Sequence, residues 1–153
     1  MTASPRKLST FPAFFKVAGR KVAVFGNGEE AFAKTRLLAN TSAEIVVHGV
    51  APEPAFAAWL RDRQVPHIAG TYTSEHLHGA TLVFAATGNS ELDARIVRDA
   101  RALKIPANAV DQPDHCDFLT PALVNRAPVS VAIGTEGAGP VLAQMIRARI
   151  DRS

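Results

Sequence analysis

A short apolar run, Lys21-Val-Ala-Val-Phe-Gly26, ends in a glycine and leads straight into Asn27-Gly28-Glu29-Glu30-Ala31. From Glu29 to Asn40 the chain is rich in Ala and Leu and free of Gly and Pro. The first run reads as a strand buried on both faces and the second as a helix. The alternation then repeats. Ala43 to His48 is rich in β-branched residues and reads as a strand, and Pro54 to Arg63 as a helix with proline in its first turn. Val65 to Ala69 is a weak third strand, Thr81 to Ala86 a clearer fourth, and Ile105 to Val110 a fifth. Asn89 or Ser90 can cap a helix running to about Leu103. Strands alternating with helices require crossover connections and therefore a parallel sheet. The handedness rule leaves a doubly wound, Rossmann-like α/β sheet as the expected fold.

After Asp111 the pattern changes. Phe118 to Asn125 and Pro128 to Ile133 are apolar runs separated by Arg126-Ala127, which fits either a hairpin or a β extension of the sheet. Pro140 to Asp151 reads as a final amphipathic helix ending among arginines, where cations suit the negative end of the helix dipole. The 153 residues suit one domain, read as a polar tail over 1–10 and a nucleotide-binding domain over 11–153. With 47% apolar residues the chain can bury a core without staples. The single Cys116 excludes an internal disulfide and a multi-cysteine metal knuckle, so a reducing, cytoplasmic setting is expected. No stretch approaches the roughly 18 consecutive apolar residues of a spanning helix, so no membrane partner is expected. A net charge of +3 suits an anionic ligand and is too small to point to nucleic acid.

The glycine loop carries the most specific chemistry. Gly26-Asn27-Gly28-Glu29-Glu30-Ala31 is a G-x-G-x-x-A pattern between a strand and a helix, the context in which it signals a dinucleotide site. Gly26 makes the tight turn, Gly28 lets backbone approach a pyrophosphate, and Ala31 permits close helix–strand packing. Unpaired N–H groups at the helix start would hold the phosphates. Glu29 and Glu30 suit the helix dipole, yet would repel a pyrophosphate if aimed at it. The second strand runs out as His48-Gly49-Val50-Ala51, with neither the usual ribose-binding acid nor an arginine for a 2′-phosphate. Backbone groups there, or His48, are then expected to hold the ribose.

These residues resemble a known family. Phe11 to Gly28 is similar to the opening of the precorrin-2 dehydrogenase/ferrochelatase module of siroheme synthase, and so is Ala31-Phe-Ala-Lys34-Thr-Arg36-Leu-Leu38. Phe84-Ala-Ala-Thr87 resembles its Ala-Ala-Thr strand end, and Asn108-Ala-Val-Asp111 its Asn-x-x-Asp. Phe118-Leu-Thr-Pro121 and Gly137 to Ala143 resemble two later signatures. The similarity runs from about Phe11 to Ile150. There are departures: the family often has glycine at Asn27, valine at Glu30, acidic residues at Gly88-Asn89, and small hydroxyl residues at Ala138-Gly139.

The resemblance implies oxidation of precorrin-2 to sirohydrochlorin with NAD as hydride acceptor, followed in many members by insertion of Fe²⁺. It implies a catalytic role for Asp111. From the residues alone, Asp111 can be a general base at a strand end, or a turn former in Asp111-Gln-Pro-Asp114. Lys34, Arg36, Arg126, Asn108 and Thr135 are candidate contacts to a polycarboxylate tetrapyrrole, and each arginine can equally be a solvated surface cation. Thr87 joins the cofactor candidates. Asp114, His115, Cys116 and Asp117 are metal-ligand types, but adjacent residues rarely converge on one ion, and no metal site is expected. Family members continue into a helical dimerisation region, so the chain reads as one module of a longer homodimeric enzyme. The competing reading is a non-catalytic nucleotide-sensing module, which would need neither Asp111 nor the Gly137–Ala143 signature.

Overall fold

The computed structural model describes residues 6–153. Residues 1–5 of the expected polar tail lie outside the described residues. The described residues divide into two compact units, residues 16–118 and residues 6–15 with 119–153.

In the first unit, β1 (Lys21–Phe25), β2 (Glu44–Gly49), β3 (His67–Ala69), β4 (Ala80–Ala85) and β5 (Ala107–Ala109) form one sheet in the order β3-β2-β1-β4-β5. Every pairing is parallel. Helices α1 (Glu29–Leu38), α2 (Pro54–Arg63) and α3 (Ser90–Ala102) make the crossovers, with a 3-10 turn at Ser74–Leu77 before β4. Side chains alternate across a strand, and β1 feeds two cores. Val22 and Val24 pack with Ala31 and Leu38 of α1 and Phe56 and Leu60 of α2. Ala23 and Phe25 pack with Ile96, Val97 and Ala100 of α3. Helices therefore cover both faces, and the doubly wound expectation holds. Strand order reverses between β1 and β4, and the crevice beyond their carboxyl ends is where such sheets bind ligands.

The second unit contains β6 (Ala122–Arg126), β7 (Val129–Ile133) and α4 (Pro140–Asp151). β6 and β7 pair antiparallel as a two-stranded sheet of their own, so of the two arrangements open to this segment the hairpin is the one formed. Arg126 donates to the Asp151 carbonyl at 2.6 Å and meets its carboxylate at 3.1 Å, tying the hairpin to the end of α4. Ser9 and Thr10 bond the Glu136 carboxylate in the loop ahead of α4.

Candidate nucleotide and acid–base site

The loop between β1 and α1 is built by its glycines in different ways. Gly26 has φ +146°, and a Cβ there would lie 2.0 Å from the Ala86 carbonyl oxygen. Only glycine lets the ends of β1 and β4 come this close. Its N–H donates to the His48 carbonyl at 3.0 Å, and Ala86 N–H donates to the Phe25 carbonyl at 2.8 Å. Gly28 has ordinary φ and is the N-cap of α1, with no side chain capping the helix. A Cβ on it would meet only the Glu53 carboxylate, at 3.5 Å. An uncapped helix start beside a glycine suits a pyrophosphate.

Asn27 joins this loop to the end of β2. Its carbonyl accepts from Glu53 N–H at 3.0 Å, and its Nδ2 donates to the Ala51 carbonyl at 3.3 Å. The side chain that replaces the family's frequent glycine thus fixes the Gly49-Val50-Ala51 segment beside the glycine loop. Glu53, which the sequence did not single out, lies against Gly28. An acid therefore stands near the glycine loop, although none ends β2 itself.

His48 departs from expectation. Its ring is 2% exposed, stacked between Phe25 at 4.8 Å and His76 at 4.7 Å between centroids. Neither ring nitrogen has a hydrogen-bond partner among the described residues. Burial, with the neighbouring His76, Lys21 and His67, pushes its pKa down to about 4. The imidazole expected at the ribose is turned into the core, and only the His48 backbone reaches the glycine loop.

The two acids at the start of α1 sit in different surroundings. Glu29 pairs with Arg36 at 2.9 Å, and that guanidinium lies 3.9 Å from the Phe32 ring centroid. Arg36, a substrate candidate, is thus engaged on its own helix. Burial, the neighbouring Asp111 carboxyl and the Asp93 charge hold Glu30 above its ordinary pKa. Lys34, one turn further along α1, interacts with Glu30, Asp111 and Cys116, and burial lowers its pKa. Glu30, Lys34 and Asp111, named from separate motifs, therefore meet in one corner.

Asp111 itself has φ +59°, a left-handed conformation uncommon for a non-glycine residue. The loop after it is lashed back along β5. Cys116 Sγ bonds the Ala109 N–H and carbonyl at 3.3 and 3.2 Å, and burial raises this thiol's pKa. Asp117 accepts from Ala107 N–H at 3.0 Å and pairs with Arg101 at 2.9 Å. Asn108, 5% exposed, donates to the Phe118 carbonyl at 2.9 Å, and the Phe118 ring sits edge-on to Phe84. Asn108 is thus part of the scaffold that holds the Asp111 turn.

Thr87, at the end of β4, is set by a residue the sequence did not reveal. Asp93, 3% exposed on α3, accepts from the Thr87 N–H at 3.0 Å and hydroxyl at 2.6 Å. Asn89 caps α3 by accepting from Glu91 and Leu92 N–H groups at 3.1 Å. The remaining candidates, Arg126 and Thr135, belong to the other unit. Arg126 serves the α4 end described above, and Thr135 Oγ1 accepts from Gly139 N–H at 3.1 Å ahead of α4.

Residues 13–122 match the family model described as putative NAD(P)-binding, and residues 126–153 match the one described as sirohaem biosynthesis protein central. A siroheme synthase from Methylobacillus flagellatus is 40% identical over 146 residues, covering 94% of this chain and 31% of that protein. One from Ectopseudomonas mendocina is 42% identical over 147 residues, covering 92% and 30%. The chain thus spans about a third of the length of the curated relatives it matches. The solved structure of SirC, precorrin-2 dehydrogenase, superposes with a TM-score of 0.81 at 20% identity, covering 94% of this chain and 70% of that one, and shows a shared fold. From the glycine loop through the start of the hairpin, the chain belongs to the putative NAD(P)-binding family, as a module similar to that of siroheme synthases.

Proposed function

We propose that this chain is the NAD⁺-dependent dehydrogenase module of a siroheme-making enzyme and oxidises precorrin-2 to sirohydrochlorin. The observation that carries this reading is the placement of Asp111, in a left-handed turn just past β5, at the same carboxyl end of the parallel sheet as the uncapped α1 start that would hold the pyrophosphate.

The residues fit the cofactor. The uncapped α1 start and Gly28 seat the pyrophosphate. The Val50 and Ala51 backbone and the Glu53 carboxylate hold ribose hydroxyls. A carboxylate at Gly28 accepts from a 2′-hydroxyl and repels a 2′-phosphate, which favours NAD over NADP. The bound nicotinamide supplies the hydride acceptor. Asp111 takes the proton that leaves as the substrate is oxidised, so substrate loses one hydride and one proton in total. Lys34 offers its charge to a substrate carboxylate in the same corner. Arg36 and Arg126, both ion-paired, serve structure first.

Insertion of Fe²⁺, as substrate, is a second reaction for the same base, with Asp111 receiving the pyrrole N–H protons. A homodimer in the cytoplasm is part of this reading. On α4, Val141 is 72% and Met145 64% exposed, and a second copy would cover them. Among the described residues no helix is long and apolar enough to cross a membrane. The test is sirohydrochlorin formation from precorrin-2 and NAD⁺, followed by absorbance, in the full-length protein with and without Asp111→Asn. NAD⁺ binding without turnover in the unaltered protein would favour a nucleotide sensor instead.

A further inference from the structure

Asp93 is a buried acid that the fold does not pair with a cation. It stands in the first turn of α3 and is 3% exposed. One carboxylate oxygen takes both Thr87 donors, the N–H at 3.0 Å and the hydroxyl at 2.6 Å. Among the described residues Asp93 forms no ion pair, and its second oxygen accepts no hydrogen bond. The positive end of the α3 dipole is its remaining support. A buried carboxylate is costly unless a cation or a full set of donors completes it.

The place of this charge decides what completes it. Thr87 follows β4, and the end of β4 abuts the glycine loop, where a Cβ on Gly26 would lie 2.0 Å from the Ala86 carbonyl oxygen. A dinucleotide with its pyrophosphate at the α1 start and its adenosine beyond β2 extends its nicotinamide half to the other side of β1, toward β4. Thr87 is half-buried there, and its hydroxyl proton is committed to Asp93. The hydroxyl oxygen takes the Asn89 N–H at 3.2 Å and keeps another lone pair. Toward a ligand Thr87 is therefore an acceptor, which suits the N–H donors of the nicotinamide carboxamide. We propose that Asp93 selects the oxidised cofactor: its buried charge, acting through Thr87, favours the cationic nicotinamide of NAD⁺ over the neutral ring of NADH. Asp93 is then a positioning residue. Once the ring has accepted hydride and lost its charge, the same carboxylate no longer holds it, which speeds release of NADH.

This inference rests on the dehydrogenase reading for its cofactor, but its test reads binding and not turnover. Calorimetry on the full-length protein gives the dissociation constants of NAD⁺ and NADH. The unaltered protein should bind NAD⁺ more tightly, and one that binds NADH equally or better would overturn the proposal without any variant. Asp93→Asn keeps an acceptor oxygen for Thr87 and removes the charge. NAD⁺ binding should weaken about fivefold or more in this variant, while NADH binding changes by less than about twofold. An equal loss for both nucleotides marks a purely structural role for Asp93 and would overturn the proposal, as would a protein that binds neither nucleotide. The dehydrogenase reading fails differently. Selective NAD⁺ binding through Asp93 without oxidation of precorrin-2 would leave this inference standing and end that reading, whereas turnover with no change in the NAD⁺ to NADH ratio in Asp93→Asn would do the reverse.

Discussion

Thr87 gives both its backbone N–H and its hydroxyl to one oxygen of Asp93, at 3.0 and 2.6 Å. The carboxylate is nearly inaccessible to solvent, and it ties the end of β4 to the first turns of α3. Hydrogen bonds to a charged partner contribute about 1.5–3 kcal/mol, and removing the acceptor strands the Thr87 N–H, while the hydroxyl keeps the Asn89 carbonyl at 3.2 Å. Asp93→Ala should lower unfolding free energy by about 2–4 kcal/mol in urea titrations. Asp93→Asn, which keeps an acceptor oxygen, should cost about half as much.

The two glycines of the loop should separate folding from binding. In Gly26→Ala the new Cβ meets the Ala86 carbonyl at 2.0 Å in a left-handed backbone. A loss of about 3 kcal/mol or more is expected. In Gly28→Ala the backbone is unstrained and the nearest atom is the Glu53 carboxylate at 3.5 Å. Thermal stability should change by less than about 1 kcal/mol, while NAD⁺ affinity drops by at least about tenfold as the methyl group blocks the phosphates. Thermal melts with and without NAD⁺ measure both.

His48 gives the fold an acid limit. Its imidazole is neutral in the folded protein down to about pH 4, while the unfolded chain takes up a proton near pH 6.5. The stabilising contribution is therefore complete above pH 6.5 and is lost as pH falls toward 4. The difference amounts to up to about 3 kcal/mol. His48→Phe keeps a ring between Phe25 and His76 and removes the titration. Denaturant midpoints between pH 7 and pH 4 should decline less steeply in this variant than in the unaltered protein.

Asp111 holds a left-handed backbone that glycine adopts without cost. Asp111→Gly should therefore leave the protein as stable or more stable, by up to about 1 kcal/mol in denaturant unfolding. Its loss of turnover would then be a loss of chemistry and not of fold.

The parallel sheet was legible because its strands are apolar runs bounded by glycine, proline and helical stretches. Local hydrogen bonding trimmed the boundaries. Ile105 N–H returns to the Ala100 carbonyl and closes α3, and Pro106 has no N–H, so β5 starts at Ala107 and not at Ile105. The glycine loop and Asp111 were legible as motifs. Their meeting was not, because Glu30 and Asp111 are far apart in sequence and only the β1–β4–β5 neighbourhood joins them. Asp93 reads as one more surface acid on an amphipathic helix, since nothing local marks it as Thr87's acceptor. His48 stands at a strand end, where exposure is usual, yet Phe25 and His76 enclose it. Glu53 escaped notice because it follows β2 by several residues and returns to Gly28 only through the Asn27 bonds.

The most direct test of the central claim is the rate of sirohydrochlorin formation from precorrin-2 and NAD⁺ by the full-length protein, compared with its Asp111→Asn variant. Asparagine preserves the shape and the turn while removing the base, so the rate should fall about 100-fold or more, with NAD⁺ affinity changed by less than about tenfold. Equal rates in the two proteins would contradict the assignment of Asp111 as the base.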